Sequence, residues 1–489
     1  MRGIARSFLA GLTLLVAACS GSDDGIVRVV LAGEGQDLTN SGLRLAPGAQ
    51  LARAATASGL VTFDAGGEVI PGLADSWIVT DDGRSYIFRL RNARWPDGTA
   101  IDGRTAAASL RRAISGLEGT SLALDLAPVA EVRAMAGRVV ELRLSAPMPN
   151  LLQVLAQPEL ALRTNRQGLG PMMMEDGGEG TVDLAMRSPS SRGLPEDEDW
   201  AQDFRPVALS SASAEDAIAG FFDGQSDLVT GGRLDFWPLA DPGPLSRGAL
   251  RIDPAIGLFG LQVVRTNGVL STPEGRDALS LALDRDALIE PFGIAGWSPT
   301  ARIVPPALYG DANVPERWTQ FSLEERRSEA GRRIASLVSQ LGEDAARVTI
   351  YLPAGPGNDR LFAELDAQWR PLGLDLVREE RRASAEIVLV DRTARFAGPR
   401  WYLNQFHCDL DRGVCSPEAD DMIAAAVRGR SELPMAQIME QAEAQMLQEA
   451  IYIPIGAPIR WSLVRGGLDA FVPNAWAFHP LPPLAQIPN

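Results

Sequence analysis

Trp77-Ile-Val-Thr-Asp-Asp-Gly83 followed by Tyr86-Ile-Phe-Arg-Leu-Arg91 decides how the first third of this chain folds. Asp and Gly accept the backbone angles of a tight reversal, and the residues on either side are β-branched or aromatic, so the stretch reads as two strands joined by the Asp81-Asp-Gly83 turn. The pattern recurs at Ala136-Gly137, which separates strand-like residues 131–135 from 139–144. Between these hairpins Ala106, Leu110, Ala113 and Ile114 recur at helical spacing after Asp102, with Gly116 available as a stop. Hairpins enclosing a helix predict an α+β unit.

Outward from that unit the reading changes. Upstream, Ile26-Val-Arg-Val-Val-Leu31 is apolar and β-branched enough for a buried strand. Downstream, Thr272-Pro273 opens a helix whose face carries Ala278, Leu281 and Ala282, with Thr272 as cap and Pro273 at the first helical position. Ser322-Leu-Glu-Glu325 has capping-box spacing and starts a helix running to Gly342. Strand 348–352, helix 359–369 and strands 374–377 and 386–390 then interleave, which predicts a largely parallel sheet. Helices at about 417–427 and 435–449 lead into the strand Ile451-Tyr-Ile-Pro-Ile455. The acidic stretch 194–203 reads as a solvated loop. A chain of 489 residues exceeds what one hydrophobic core organises, so two or three lobes are expected.

Composition excludes whole classes of function. The 46 basic residues, all arginine, stand against 62 acidic ones for a net charge of −16. So acidic a chain has no electrostatic footprint for nucleic acid, and without lysine it has neither Schiff-base nor P-loop chemistry. No G-x-S-x-G, HExxH or P-loop pattern occurs, and the only histidines, His407 and His479, have no partner motif, so neither an enzyme nor a cofactor is expected. Residues 1–18 combine a basic start, Arg2 and Arg6, with a short apolar run, which is an export signal. Of three cysteines, Cys408 and Cys415 lie close together in a protein bound for an oxidising compartment. A local disulfide is the favoured reading; the alternative is a metal site with His407, Asp409 and Asp411, although the spacing matches no recognised zinc motif.

Two resemblances sharpen this. Val16-Ala-Ala-Cys19 resembles the lipobox of bacterial lipoproteins, which implies an acylated Cys19; plain signal-peptidase cleavage near Ala18 is the alternative. Gly59-Leu-Val-Thr-Phe-Asp64, Val69-Ile-Pro-Gly-Leu-Ala-Asp-Ser-Trp77, Tyr86-Ile-Phe-Arg-Leu-Arg91 and Trp95-Pro-Asp-Gly-Thr99 together resemble the N-terminal signature of family 5 extracellular solute-binding proteins. Gly168-Leu-Gly-Pro171, the helix Arg276-Asp-Ala-Leu-Ser-Leu-Ala-Leu-Asp-Arg285 and Ser416-Pro-Glu-Ala-Asp-Asp-Met-Ile423 extend the likeness towards the C-terminus.

The resemblance implies an α/β, two-lobed, periplasmic-binding-protein-like clamp with an inserted α+β subdomain. The first lobe would comprise 19–59, 184–262 and 465–489, the subdomain 60–183 and the second lobe 263–464. It also implies a monomer in the cell envelope, lipid-anchored and facing the periplasm, which passes a small solute or short peptide to the permease of an ABC transporter. The alternative is a homologue without cargo that serves as an envelope scaffold. In peptide-binding members an Asp in a W-x-A-D-Y-x-D-P block pairs with the ligand's ammonium; here Arg392-Thr-Ala-Arg-Phe-Ala-Gly-Pro399 stands in that place, with Arg392 at the Trp and Arg395 at the Asp. Arg392, Arg395 and Phe396 are therefore the candidate ligand contacts, with Trp401, Tyr402 and Trp297 as aromatic walls. A salt-bridged Arg395, and aromatics that serve lobe packing, are the alternatives.

Overall fold

The computed structural model describes residues 25–488 apart from 34, 36, 165–166, 179, 196–197, 241–247, 311–313, 315 and 429–432. The export signal, Cys19 and part of the acidic 194–203 stretch lie outside the described residues.

Two sheets carry the two lobes. The first has seven strands, in the order Met172–Asp176, Thr181–Met186, Val207–Ala212, Val27–Ala32, Leu228–Gly232, Trp461–Val464 and Leu250–Ile252. Val27–Ala32 is central because Val27, Val29 and Leu31 alternate into the core, and it pairs in parallel with Val207–Ala212 and Leu228–Gly232. The second sheet has the order Asp375–Arg378, Arg347–Tyr351, Ile387–Thr393, Gly257–Val263 and Tyr452–Gly456. Its pairings are parallel on one side, but Gly257–Val263 runs against both neighbours. That strand departs from the largely parallel expectation because it enters from the first lobe and not from a crossover helix.

The chain passes between the sheets at 253–256 and again at 457–460. Sheet membership therefore changes a few residues ahead of the expected 263 and 464 boundaries, and Met172–Asp176 belongs to the first sheet although it was expected inside the inserted unit. The passages lie side by side, with the Asp253 N–H on the Arg460 carbonyl at 3.0 Å.

The inserted unit is a four-stranded antiparallel sheet, Ala74–Val79, Ser85–Leu90, Val139–Leu144 and Val129–Ala134, with the helix Gly103–Gly116. Asp102 caps that helix by accepting the Thr105 N–H at 2.7 Å, and the Thr105 hydroxyl closes a capping box. In the second lobe Thr272 caps Pro273–Ala282 and the Ser322 capping box opens Leu323–Leu341. The subdomain shares one apolar core with second-lobe helices: Phe88, Leu110 and Leu142 cluster with Phe396, Trp401, Phe406 and Met439. Its hydrophobic face is thereby buried against the clamp rather than closed on itself.

Candidate functional site

The C-terminal ends of Val27–Ala32, Leu228–Gly232 and Ile387–Thr393 converge on one cavity of about 930 Å³ between the two sheets. Open α/β sheets offer their ligand crevices at such strand ends, and the volume suits a solute of several linked units. One wall comes from the first lobe around Thr230–Gly232 and Asp235; the opposite wall comes from Asp391–Thr393, Trp401 and Arg412 of the second. The tail residues Trp476 and His479 and the subdomain's Ser121 complete it.

Charge dominates the lining. Arg460 and Asp391, both largely buried, pair at 2.6 Å and tie the returning passage to the end of Ile387–Thr393. Arg395 leans away towards the subdomain: its Nη2 lies 2.9 Å from Asp125 Oδ2 and 2.8 Å from Ser121 Oγ. Asp125 is fully buried, and its second oxygen accepts from Asn404 Nδ2 at 2.9 Å. Arg392 behaves differently. Its Nη1 donates to Gln405 Oε1 at 3.1 Å, and it has no carboxylate partner among the described residues. Burial, followed by repulsion from Arg412, Arg382 and Arg395, pushes its pKa down to about 9. Arg412 is lowered for the same reasons, and its Nη1 is a buried donor with no partner among the described residues. The Trp401 indole Nε1 is a second such donor on the same wall. Across the cleft, burial and then the neighbouring Asp391 raise the carboxyl of Asp235.

The Arg412 position is built locally. Cys408 and Cys415 are joined, their Cα atoms 5.3 Å apart, which takes both thiols out of any metal site and closes a loop around Arg412. The loop is pinned to the end of Gly257–Val263, where the Val414 N–H reaches the Val263 carbonyl at 2.9 Å. Gly413 has φ 150°, and a Cβ there would stand 2.5 Å from that carbonyl oxygen, so only glycine fits.

Of the residues expected from sequence, the structure brings Arg392, Arg395 and Trp401 to the cavity. Phe396 and Tyr402 are buried in the core that joins the subdomain to the second lobe and do not line it. Trp297 packs edge-on against Phe259 and Phe292 and gives its indole N–H to the Ala457 carbonyl at 2.9 Å, so it supports a passage between lobes. Arg412, Asp235, Asp391 and Arg460 were not anticipated; the one signal for Arg412 was its place between the two cysteines. His479 is buried 3.3 Å from Asp253 and stacks on Phe471, which makes it a support for the passage at 253–256. Away from the cleft, Glu443 is fully buried and satisfied by Arg302, the N–H groups of Ile303 and Val304, and the Tyr309 hydroxyl, so its carboxylate is a structural clamp.

Comparison with known proteins gives consistent results. The model of bacterial extracellular solute-binding proteins, family 5, middle region, matches residues 68–188. The periplasmic oligopeptide-binding protein OppA of Escherichia coli is 20% identical over 466 residues, covering 83% of this chain and 82% of OppA. The structure of Haemophilus influenzae OppA in complex with RPPGFSPFR superposes with a TM-score of 0.77 at 15% identity, over 95% of this chain and 99% of that one. The Escherichia coli murein tripeptide binding protein MppA superposes at 0.75 with 17% identity, over 94% of this chain and 98% of MppA. An unliganded open form of MppA reaches only 0.62 at 17% identity, over 94% and 96%. With the family 5 match across the inserted sheet, a relative matched over most of both chains and the two-lobed fold shared nearly end to end, this chain is similar to the family 5 extracellular solute-binding proteins and shares their fold.

Proposed function

We propose that this protein captures a small solute between its lobes outside the cytoplasmic membrane and hands it to the permease of an ABC transporter. The observation that carries this reading is the cavity of about 930 Å³, walled by both lobes and placed at the converging strand ends. Among the described residues the chain crosses between the sheets twice, at 253–256 and 457–460, an arrangement suited to hinge closure around a ligand. Binding, not catalysis, is the role of such a clamp.

The solute differs from a free-amine peptide at one end. In the place of the family's amine-binding Asp stands Arg395, and the carboxylate nearest to it, Asp125, is fully buried and already held by Arg395 and Asn404. Among the described residues no free carboxylate stands beside Arg395 to receive an ammonium, and the lost pairing is worth on the order of a hundredfold or more in affinity. Cys19, once acylated, would hold the protein at the membrane. Fractionation of Cys19→Ala checks that part, the expected outcome being release of a folded protein from the membrane pellet.

The experiment for the whole reading is mass spectrometry of small molecules released when the purified protein is denatured. A single defined solute in near-stoichiometric amount is expected. Protein purified without any released solute, and with no change of shape in the presence of a cell extract, would speak for a scaffold instead.

A further inference from the structure

Five arginines line the cleft, and they differ in what answers their charge. Arg395 is paired with Asp125 and Arg460 with Asp391, while Arg233 has Asp235 as a near neighbour. Arg392 and Arg412 remain. They face the cavity from the same wall, close enough to repel one another, and no carboxylate among the described residues meets either. Among the described residues Arg412 Nη1 is a buried donor without a partner, and so is the Trp401 indole Nε1 on the same wall. Trp401 is only 1% exposed, so water at the protein surface does not serve that N–H.

Buried donors without partners are rare in folded proteins, and like charges gathered without a counter-ion are costly. A cavity wall that keeps both is a wall awaiting an acceptor. We propose that Arg392, Arg412 and the Trp401 indole form a subsite for an oxyanion, a carboxylate or phosphate group of the captured solute. Arg412 is presented to it by the Cys408–Cys415 loop. The planar guanidinium forks suit two oxygens on one centre, and the indole N–H adds a third donor. Arg395, which holds the family's amine-binding position in sequence, is excluded from the subsite by Asp125, so the anion-binding charge shifts to a residue outside that block. The inference rests on the cleft being the solute site and names the chemistry of one end of that solute.

The test measures thermal melting and affinity of the full chain with succinate, inorganic phosphate and neutral succinamide at constant ionic strength. Succinate, phosphate or both are expected to raise the melting temperature, and succinamide is not; a preference for succinate assigns a carboxylate, a preference for phosphate a phosphate ester. Arg392→Gln and Arg412→Gln should each weaken the preferred anion about tenfold or more. Arg412→Gln should not melt lower than the unmodified protein without anion, since it removes one of several mutually repelling charges. Trp401→Phe should show a smaller loss, and Arg104→Gln, on an exposed helix, none. Equal effects of the anions and succinamide, or unchanged anion affinity in Arg412→Gln, overturn the subsite. The released-solute spectrum separates this failure from that of the wider reading: a defined solute without any anionic group overturns the subsite and leaves solute capture standing, whereas no solute and no anion effect removes both.

Discussion

Asp125 and Arg395 meet at 2.9 Å although 270 residues separate them, and the pair joins the inserted subdomain to the second lobe beside the ligand cleft. Arg400 adds a bond from Nη2 to the Asp125 carbonyl at 2.7 Å, so one short turn of the subdomain receives two arginines from the other side. The Asp125 carboxylate is fully buried and the Arg395 side chain is 24% exposed. Asp125→Ala leaves the guanidinium without its counter-charge and should cost about 3 kcal/mol, near the lower end for a buried pair because Arg395 is partly solvated. Urea unfolding measures it. The double variant Asp125→Ala with Arg395→Met should recover part of the loss; a single-variant effect below ~1 kcal/mol would show that the pair does not fasten the subdomain.

Lobe closure has its own close contact. The helix Pro356–Trp369 of the second lobe meets the first-lobe turn Leu234–Leu239, and a Cβ on Gly357 would stand 1.8 Å from the Leu234 carbonyl oxygen. Backbone cannot yield to that overlap, so Gly357→Ala should hold the lobes apart. Small-angle scattering is expected to give a larger radius of gyration than for the unmodified protein, with weakened solute retention. An unchanged radius would mean that the two elements separate at no cost to the closed form.

Asp235 predicts a pH dependence. Burial and the adjacent Asp391 raise its carboxyl above the ordinary 3.8, so the folded protein binds the proton more tightly than the unfolded chain does. Its contribution to stability is therefore complete below about pH 4 and is lost as the pH rises through the folded value. Asp235→Asn removes the penalty: it should melt higher than the unmodified protein near pH 7–8, with the gain disappearing below about pH 4. A gain that grows as the pH falls would reverse the sign and contradict the assignment.

The Cys408–Cys415 bridge closes a loop of sequence separation 7 before the helix Pro417–Val427. Loop-closure entropy puts its contribution at roughly 2–3 kcal/mol. Thiol labelling of the denatured, unreduced protein should find neither cysteine free, and reduction should lower the unfolding midpoint; quantitative labelling of both before reduction would exclude the bridge.

How much of this was legible in the sequence depended on range. Local signals held: the Thr272 and Ser322 caps open the helices they were expected to open, a helix follows Asp102 as its spacing predicted, and Asp81-Asp-Gly83 turns the hairpin between Ala74–Val79 and Ser85–Leu90. These are set by atoms within four or five residues. The strand Trp461–Val464 was missed because only four residues long, beside a passage between lobes, it shows neither period nor turn punctuation; its place comes from pairing with Leu228–Gly232 and Leu250–Ile252. The site was legible only in part for the same reason. Arg392 and Trp401 could be found from the aligned block, but that Arg395 is answered by Asp125, and that a disulfide loop swings Arg412 into the cleft, are facts of tertiary contact. Aromatic side chains were the least informative, since Phe396 and Tyr402 look the same in sequence whether they wall a ligand or join two cores.

Solute captured between the lobes should close them, and small-angle scattering on solute-free and reloaded protein reads that closure. Protein stripped of its solute by unfolding and refolding, then given back the released molecule, should contract to a smaller radius of gyration, with half-maximal change at the concentration that half-saturates binding. A radius that stays constant while the molecule binds would mean that capture does not close the lobes.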